Sequence, residues 1–208
     1  MVLADVNNDN HLDIITTNYS NASMGVLLGN GIGGFAAAAR YSSSGPSESV
    51  AVADFNGDGY KDIATACLPF ISVLMNNGAS PGPAGTFGAP AQIPFPYFLT
   101  NALLAADVND DGIQDIVLTD KALRLVSIFM GNLSGTFSQN RMVNFVQGSG
   151  AAYSALYDIN NDYKLDLITV NPTAAPSPTV SVRPNISDLA LNFVGNTMYI
   201  SPPPTLDR

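Results

Sequence analysis

A chain of 208 residues that is 46% hydrophobic and only 12% charged carries enough apolar material to build a core, which excludes a disordered segment. Its net charge of −9 argues against nucleic-acid binding, which needs a basic patch, and no apolar run reaches the 18 residues of a membrane-spanning helix. With 18 glycines and 14 prolines, many short strands and turns are expected rather than long helices.

The chain opens on a clipped apolar strand, MVLA, without the charged start and long apolar stretch of a signal peptide. Secretion would then be encoded upstream, and the clipped strand reads as part of a longer protein. Next comes an acidic segment, DVNNDNHLD at 5–13, followed by a β-branched run (DIITT), a second apolar run (MGVLLGNG) and a segment opened by glycine and phenylalanine (GGFAAAARY). The same order returns three times. DFNGDGYKD (54–62) leads to DIATA, ISVLMNNG and GTFGAPAQI; DVNDDGIQD (107–115) leads to DIVLT, VSIFMGN and GTFSQNRMV. DINNDYKLD (158–166) leads to DLITV, TVSVRPN and a degenerate LNFVGNTMY. The first aspartates, Asp5, Asp54, Asp107 and Asp158, recur at a period near 50 residues, the mark of a repeated supersecondary unit. Short runs rich in Val, Ile, Thr and Phe between Asn, Gly and Pro read as strands, and no segment sustains a helical period. Four strands per unit predict an all-β fold of four antiparallel β-propeller blades, at about 1–45, 46–97, 98–148 and 149–200, with 201–208 as a tail or linker.

Of the 17 acidic residues, 13 fall inside the four nine-residue segments. Four divalent cations, one per segment, would bring −9 to −1, so the acidity reads as a metal requirement. In D-x-N-x-D-x-x-x-D, positions 1, 3 and 5 point side-chain oxygens into one concavity, position 6 turns sharply, position 7 offers a carbonyl and position 9 a closing carboxylate. All-oxygen ligation of this kind suits Ca²⁺ better than Mg²⁺, and zinc or copper would call for His or Cys. The expected ligands are Asp5, Asn7, Asp9, the His11 carbonyl and Asp13; then Asp54, Asn56, Asp58, the Tyr60 carbonyl and Asp62. The third set is Asp107, Asn109, Asp111, the Ile113 carbonyl and Asp115, and the fourth Asp158, Asn160, Asp162, the Lys164 carbonyl and Asp166. Position 6 is Asn10, Gly59, Gly112 and Tyr163; tyrosine tolerates a left-handed backbone poorly, so the fourth site is expected to be the weakest. A calcium-sensing helix-loop-helix would need an acid at position 12, where this chain has Thr16, Thr65, Leu118 and Thr169. The bland alternative, Asx-rich hairpin turns, explains one loop more easily than four in register.

In these repeated segments the chain resembles the FG-GAP family (VCBS-type, integrin α-like). The second unit contains the string GTFGAP at 85–90 besides SVAVADFNGDGYKDIA. The resemblance implies a β-propeller whose calcium loops join the first and second strands of each blade on one rim, with ligands on the opposite face. It also implies an extracellular or cell-surface setting, in adhesion receptors, lectin-like proteins or non-catalytic parts of extracellular enzymes. Propellers of that family have seven or eight blades, so four suggest pairing with further blades or a second copy; a closed four-bladed ring is the alternative.

No catalytic constellation is present: His11 is the sole histidine, and G-x-S-x-G and H-E-x-x-H are absent. Cys67, the lone cysteine, reads as a buried thiol. The reading is a non-catalytic, calcium-stabilised interaction module for a protein or glycan, with no nucleic acid and no membrane insertion. The alternatives are a scaffold beside a separate catalytic domain, and an enzyme such as a polysaccharide lyase working on the open face. The connections at 41–49, 92–100 and 146–153, and the turns at 18–24, 68–71, 120–124 and 171–179, are the candidate ligand-face segments.

Overall fold

A computed structural model describes residues 1–78, 84–95, 100–120, 125–144, 153–171 and 179–185. These residues contain fifteen strands and no helix, hence no helix long and apolar enough to cross a membrane. The first sheet holds β1 (Val2–Ala4), β2 (Asp13–Asn18), β3 (Ser23–Leu27) and β4 (Ala39–Ser42). The second holds β5 (Ser47–Ala53), β6 (Asp62–Cys67), β7 (Phe70–Leu74) and β8 (Ala91–Pro94). In the third are β9 (Thr100–Ala106), β10 (Asp115–Asp120), β11 (Leu125–Gly131) and β12 (Phe137–Asn144). The fourth comprises β13 (Tyr153–Tyr157), β14 (Asp166–Asn171) and β15 (Thr179–Arg183). Its expected fourth strand, LNFVGNTMY, lies outside the described residues. Each sheet is an antiparallel meander with strands adjacent in chain order, which is the build of a β-propeller blade.

One register repeats through all four blades. The residue before each acidic loop pairs with the ninth residue of that loop: Ala4 with Asp13, Ala53 with Asp62, Ala106 with Asp115, Tyr157 with Asp166. The loop is therefore held in the mouth of a hairpin whose two strands are fixed beneath it. The Gly-x-Phe segments enter differently from expectation. Phe35 and Phe87 form single β-bridges, to Gly29 and Asn76, and the regular outer strands β4 and β8 begin a few residues later.

Side chains alternate across each sheet, so every blade has a face toward the next blade and a face toward the previous one. Ala4, Ile15, Met24 and Val26 of blade 1 bury against Val50, Ile63, Leu74 and Phe87 of blade 2. Ala53, Ala64, Ile71 and Val73 of blade 2 bury against Leu103, Ile116, Leu118 and Phe129 of blade 3. Val117, Val126 and Ile128 of blade 3 meet Leu156 and Leu167 of blade 4. Covered on both faces, β6 and β10 are buried along their whole lengths, which is why they read DIATAC and DIVLTD rather than alternating with polar residues. The first strands also touch in order, β1 with β5, β5 with β9, β9 with β13.

Phe95, opening the described part of the connection from blade 2 to blade 3, is buried and stacks edge-on against Phe129. The IPFPYF connection thus begins as packing; residues 96–99 lie outside the described residues.

Candidate metal centres

The four Asp-Asn loops join the first two strands of each blade. Within loop 1 the position-1 carboxylate, Asp5, accepts the backbone amides of Asp9 (3.2 Å) and Asn10 (2.8 Å). The Asp9 amide is shared with Asn7 Oδ1 at 3.2 Å, and Asp9 Oδ1 accepts the His11 amide at 2.8 Å. The pattern recurs in loop 2 (Asp54, Asn56 and Asp58) and loop 3 (Asp107, Asn109 and Asp111). Loop 4 repeats it with Asp158, Asn160 and Asp162. In every loop the position-3 amide nitrogen donates to the position-5 carboxylate, at 2.8 to 3.0 Å. Positions 1, 3 and 5 therefore converge, as the spacing required. At Asp9 the Asn7 donor, followed by the His11 amide, holds the carboxyl below its usual range.

Position 6 adopts the left-handed backbone in all four loops: Asn10 at φ 67°, Gly59 at 86°, Gly112 at 84° and Tyr163 at 68°. Position 4 does the same, at Asn8, Gly57, Asp110 and Asn161. The sequence pattern assigns a turn to position 6 alone, although the identities at position 4 (Asn, Gly, Asp, Asn) are ones that tolerate φ > 0 and carry the signal for a second left-handed residue.

Position 9 stands apart from the other three. Asp13, Asp62, Asp115 and Asp166 are fully buried, and each accepts two backbone amides. One comes from loop position 2: Val6 at 2.9 Å, Phe55 at 2.9 Å, Val108 at 3.1 Å and Ile159 at 3.0 Å. The other comes from the turn after the third strand: Gly29 at 2.8 Å, Asn76 at 2.7 Å, Gly131 at 2.8 Å and Asn185 at 2.8 Å. This carboxylate staples the loop to the far side of its own blade. Burial pushes the carboxyls of Asp62 and Asp115 up to about 6, against the pull of those amides, with the loop's other aspartates adding to the rise.

Position 7 contributes a cover. The His11 ring stands over Gly31 with Nδ1 3.3 Å from Asp9 Oδ1, Tyr60 lies over Gly78, and Ile113 over Gly131. His11 thus packs on its own blade's turn and is only part-exposed.

Neighbouring blades close over the loops. Gly85 of blade 2, at φ 80°, sits so close to Asn7 and Leu28 of blade 1 that a Cβ there would lie 3.1 Å from each. Gly135 of blade 3 approaches Asn56 and Met75 of blade 2 in the same way. The next phenylalanines follow suit: Phe87 stacks edge-on against Tyr41 of blade 1, and Phe137 against Phe55 of loop 2. Asn8 Nδ2 donates to Gly59 O across loops 1 and 2 at 3.0 Å. Asn76 Nδ2 reaches Val6 O of blade 1 at 2.7 Å, and Asn185 Nδ2 reaches Val108 O of blade 3 at 3.1 Å. Between loops 2 and 3 lies a groove of about 410 Å³, lined by residues that include Asp54, Lys61, Ile113, Gln114 and Leu133.

Each loop thus gathers two carboxylates and one amide oxygen, a donor set of oxygens alone, which fits a hard cation. Among the described residues no group of three or more His, Cys, Asp or Glu side chains stands together as a metal site.

The comparisons with known proteins bear on this repeat. A family model described as FG-GAP-like repeat matches residues 5–65 and 107–169, spans that contain all four acidic loops. The chain belongs to the FG-GAP-like repeat family. Among solved structures it is similar to an Agrocybe aegerita lectin, described as recognising non-reducing terminal N-acetylglucosamine, at 22% identity and a TM-score of 0.58. That match covers 86% of this chain and 50% of the lectin chain, so the protein spans half the lectin's length; at this identity the likeness concerns the fold. No curated protein matches the chain by sequence.

Proposed function

We propose that this FG-GAP chain is a non-catalytic, calcium-stabilised β-propeller module that binds a glycan outside the cell. The observation that carries the calcium reading is the fourfold recurrence of one all-oxygen donor set on one rim. Asp5, Asn7 and Asp9 and their counterparts would hold Ca²⁺, with the carbonyls of His11, Tyr60, Ile113 and Lys164. Each staple carboxylate keeps lone pairs beyond the two amides it accepts, so Asp13, Asp62, Asp115 and Asp166 can still close the sphere. The bound ion supplies positive charge between crowded carboxylates and so fixes the loop; it takes no part in chemistry. An affinity in the range of about 0.1–1 mM, typical of extracellular modules, suffices there.

The lectin likeness favours a glycan over a protein as the ligand. The family resemblance implies a site on the face away from the loops, whereas the inter-loop groove offers a concavity on the loop rim. The groove pairs apolar Ile113 and Leu133 with polar Lys61 and Gln114, a mix that suits a sugar's apolar face and hydroxyl edge. A glycan array probed with the 208-residue chain in millimolar calcium, repeated with Lys61→Ala, tests both. Retention of terminal N-acetylglucosamine glycans that Lys61→Ala weakens places the site on the rim. Retention that this variant leaves unchanged moves it to the opposite face, and an array without binding in calcium sinks the glycan reading.

A further inference from the structure

The staple carboxylates of loops 1 and 2 are joined by a continuous run of hydrogen bonds. Asp62 of loop 2 accepts the Asn76 amide at 2.7 Å, and the Asn76 side chain donates across the junction to Val6 O of loop 1, also at 2.7 Å. Val6 in turn donates its own amide to Asp13 at 2.9 Å. The four residues are at most 5% exposed, so water competes little for any of these links. Loops 3 and 4 are joined by the same run. Asp166 accepts the Asn185 amide (2.8 Å), Asn185 Nδ2 reaches Val108 O (3.1 Å), and the Val108 amide reaches Asp115 (3.1 Å). Between loops 2 and 3 the run is broken. Gly131 stands in the place of Asn76; its amide still holds Asp115, but it has no side chain to extend to Phe55, the counterpart of Val6. The backbone there leaves no room for one. A Cβ on Gly131 would lie 2.4 Å from Gln114 O, whereas the Asn76 side chain donates to the matching carbonyl of Lys61 at 2.9 Å. Asn8 adds a surface link from loop 1 to Gly59 of loop 2; its counterpart in loop 2 is Gly57, which lines the groove instead.

We propose that Asn76 and Asn185 couple the calcium loops in two pairs, 1 with 2 and 3 with 4, while loops 2 and 3 fill independently of each other. This rests on the calcium reading above. Each run begins and ends on a carboxylate that closes a loop's donor set. Holding Asp62 from the loop 2 side fixes the turn that carries Asn76. Asn76 then holds the peptide between Val6 and Asn7, and Asn7 supplies the position-3 oxygen of loop 1. Loop 1 is thus partly ordered before its own site fills, and less conformational entropy remains to be lost there. Coupling of this kind is reciprocal, so filling loop 1 favours loop 2 by the same factor. Asn185 does the same for Val108 and Asn109 of loop 3 from the loop 4 side. Both asparagines act as positioning residues, since neither is among the ligands.

A calcium titration of the 208-residue chain followed by amide NMR reads each loop at its position-6 amide: Asn10, Gly59, Gly112 and Tyr163. Disabling loop 2 with Asp54→Asn is expected to weaken loop 1 about fivefold or more, while loop 3 keeps its affinity. Asp107→Asn is expected to weaken loop 4 in the same way and to leave loop 2 unchanged. Asn76→Gly keeps the backbone amide on Asp62 and installs the residue that the turns of blades 1 and 3 carry; it removes the coupling of the first pair only. Asn185→Gly removes that of the second. The two aspartate variants retain both asparagines, so they test the pairing even where a glycine variant is unstable. The Val6 amide gives a separate readout. With loop 1 disabled by Asp5→Asn, calcium still slows hydrogen exchange at Val6, and adding Asn76→Gly abolishes that slowing. An asparagine that only stabilised the fold would not change how one loop answers the other. Loop 1 indifferent to Asp54→Asn, loop 3 weakened as much as loop 1, or coupling that survives both glycine variants overturns the proposal. Four loops that fill independently sink the coupling alone, whereas a chain that takes up no calcium sinks the calcium reading as well.

Discussion

Loop 2 and loop 4 carry the same pattern of ligands yet stand in opposite surroundings. Around loop 2, Phe55 is sealed under Phe137, Gly135 lies against Asn56, and the buried hinge of the loop is Asp62. Around loop 4, Ile159 faces solvent, and Tyr163 is held left-handed and fully exposed. Internal hydrogen bonding is nearly the same in both, down to the staple, so the difference comes from what the following blade adds. A propeller loop is thus a local motif completed from outside, and its strength should depend on its place in the row.

Calcium removal breaks the comparison most severely. In about 10 mM calcium, a ten- to hundredfold excess over the proposed dissociation constants, each site stabilises by about 1.4–2.7 kcal/mol, so three well-formed loops sum to about 4–8 kcal/mol. Urea denaturation in that calcium and in chelator should therefore differ widely, with loop 4 the last to fill in a calorimetric titration. Coincident curves would show that the carboxylates are satisfied by backbone amides alone.

The second effect is packing. Phe55→Ala empties a fully buried position and should cost about 3–5 kcal/mol. Ile159→Ala, at the same place in blade 4 but 46% exposed, should cost under about 1 kcal/mol. Equal losses would mean that the outer face of blade 4 is covered in the monomer.

Much of this was legible. The 50-residue period gave the blades, and the Asp-Asn spacing located the loops, because both depend on neighbours in sequence. Position 9 was legible as a conserved-in-register aspartate within the chain, but its partners Gly29, Asn76, Gly131 and Asn185 sit 14 to 19 residues away, beyond the reach of the loop pattern. The latches from Asn76 to Val6 and from Asn185 to Val108 span 70 and 77 residues. They occur where two of the four turns have Asn in place of Gly, a difference with no periodic signature. Contacts between blades are set by how successive sheets stack, and a single strand's alternation does not report them.

The staple gives the third test. Asp115→Ala leaves the amides of Val108 and Gly131 without their acceptor inside a packed junction. At about 1–3 kcal/mol for each stranded donor, the loss should reach about 2–6 kcal/mol. Asp166→Ala strands Ile159, whose end of the loop is open to water, together with Asn185, and about 1–3 kcal/mol is expected. Hydrogen exchange at Val108 and Ile159 would read the asymmetry directly. Identical losses would make the staple independent of the covering blade.

The smallest change bears on loop 4 itself. Tyr163 sits at φ 68°, a conformation that costs a residue with a Cβ about 1–2 kcal/mol, whereas Gly59 and Gly112 occupy the same place in loops 2 and 3 without that cost. The tyrosine amide still donates to Asp158 at 2.8 Å, so the loop closes and the strain is retained in the folded state. Tyr163→Gly releases it while adding about 0.5–1 kcal/mol of unfolded-chain freedom, leaving a net gain of about 0–1.5 kcal/mol. Because the ring is exposed, little packing is lost to obscure the result. Because the left-handed backbone is already formed in the ion-free loop, the same substitution should leave calcium affinity at the fourth loop little changed. A drop in stability on Tyr163→Gly would show instead that the unfolded-chain freedom glycine adds outweighs the strain it releases.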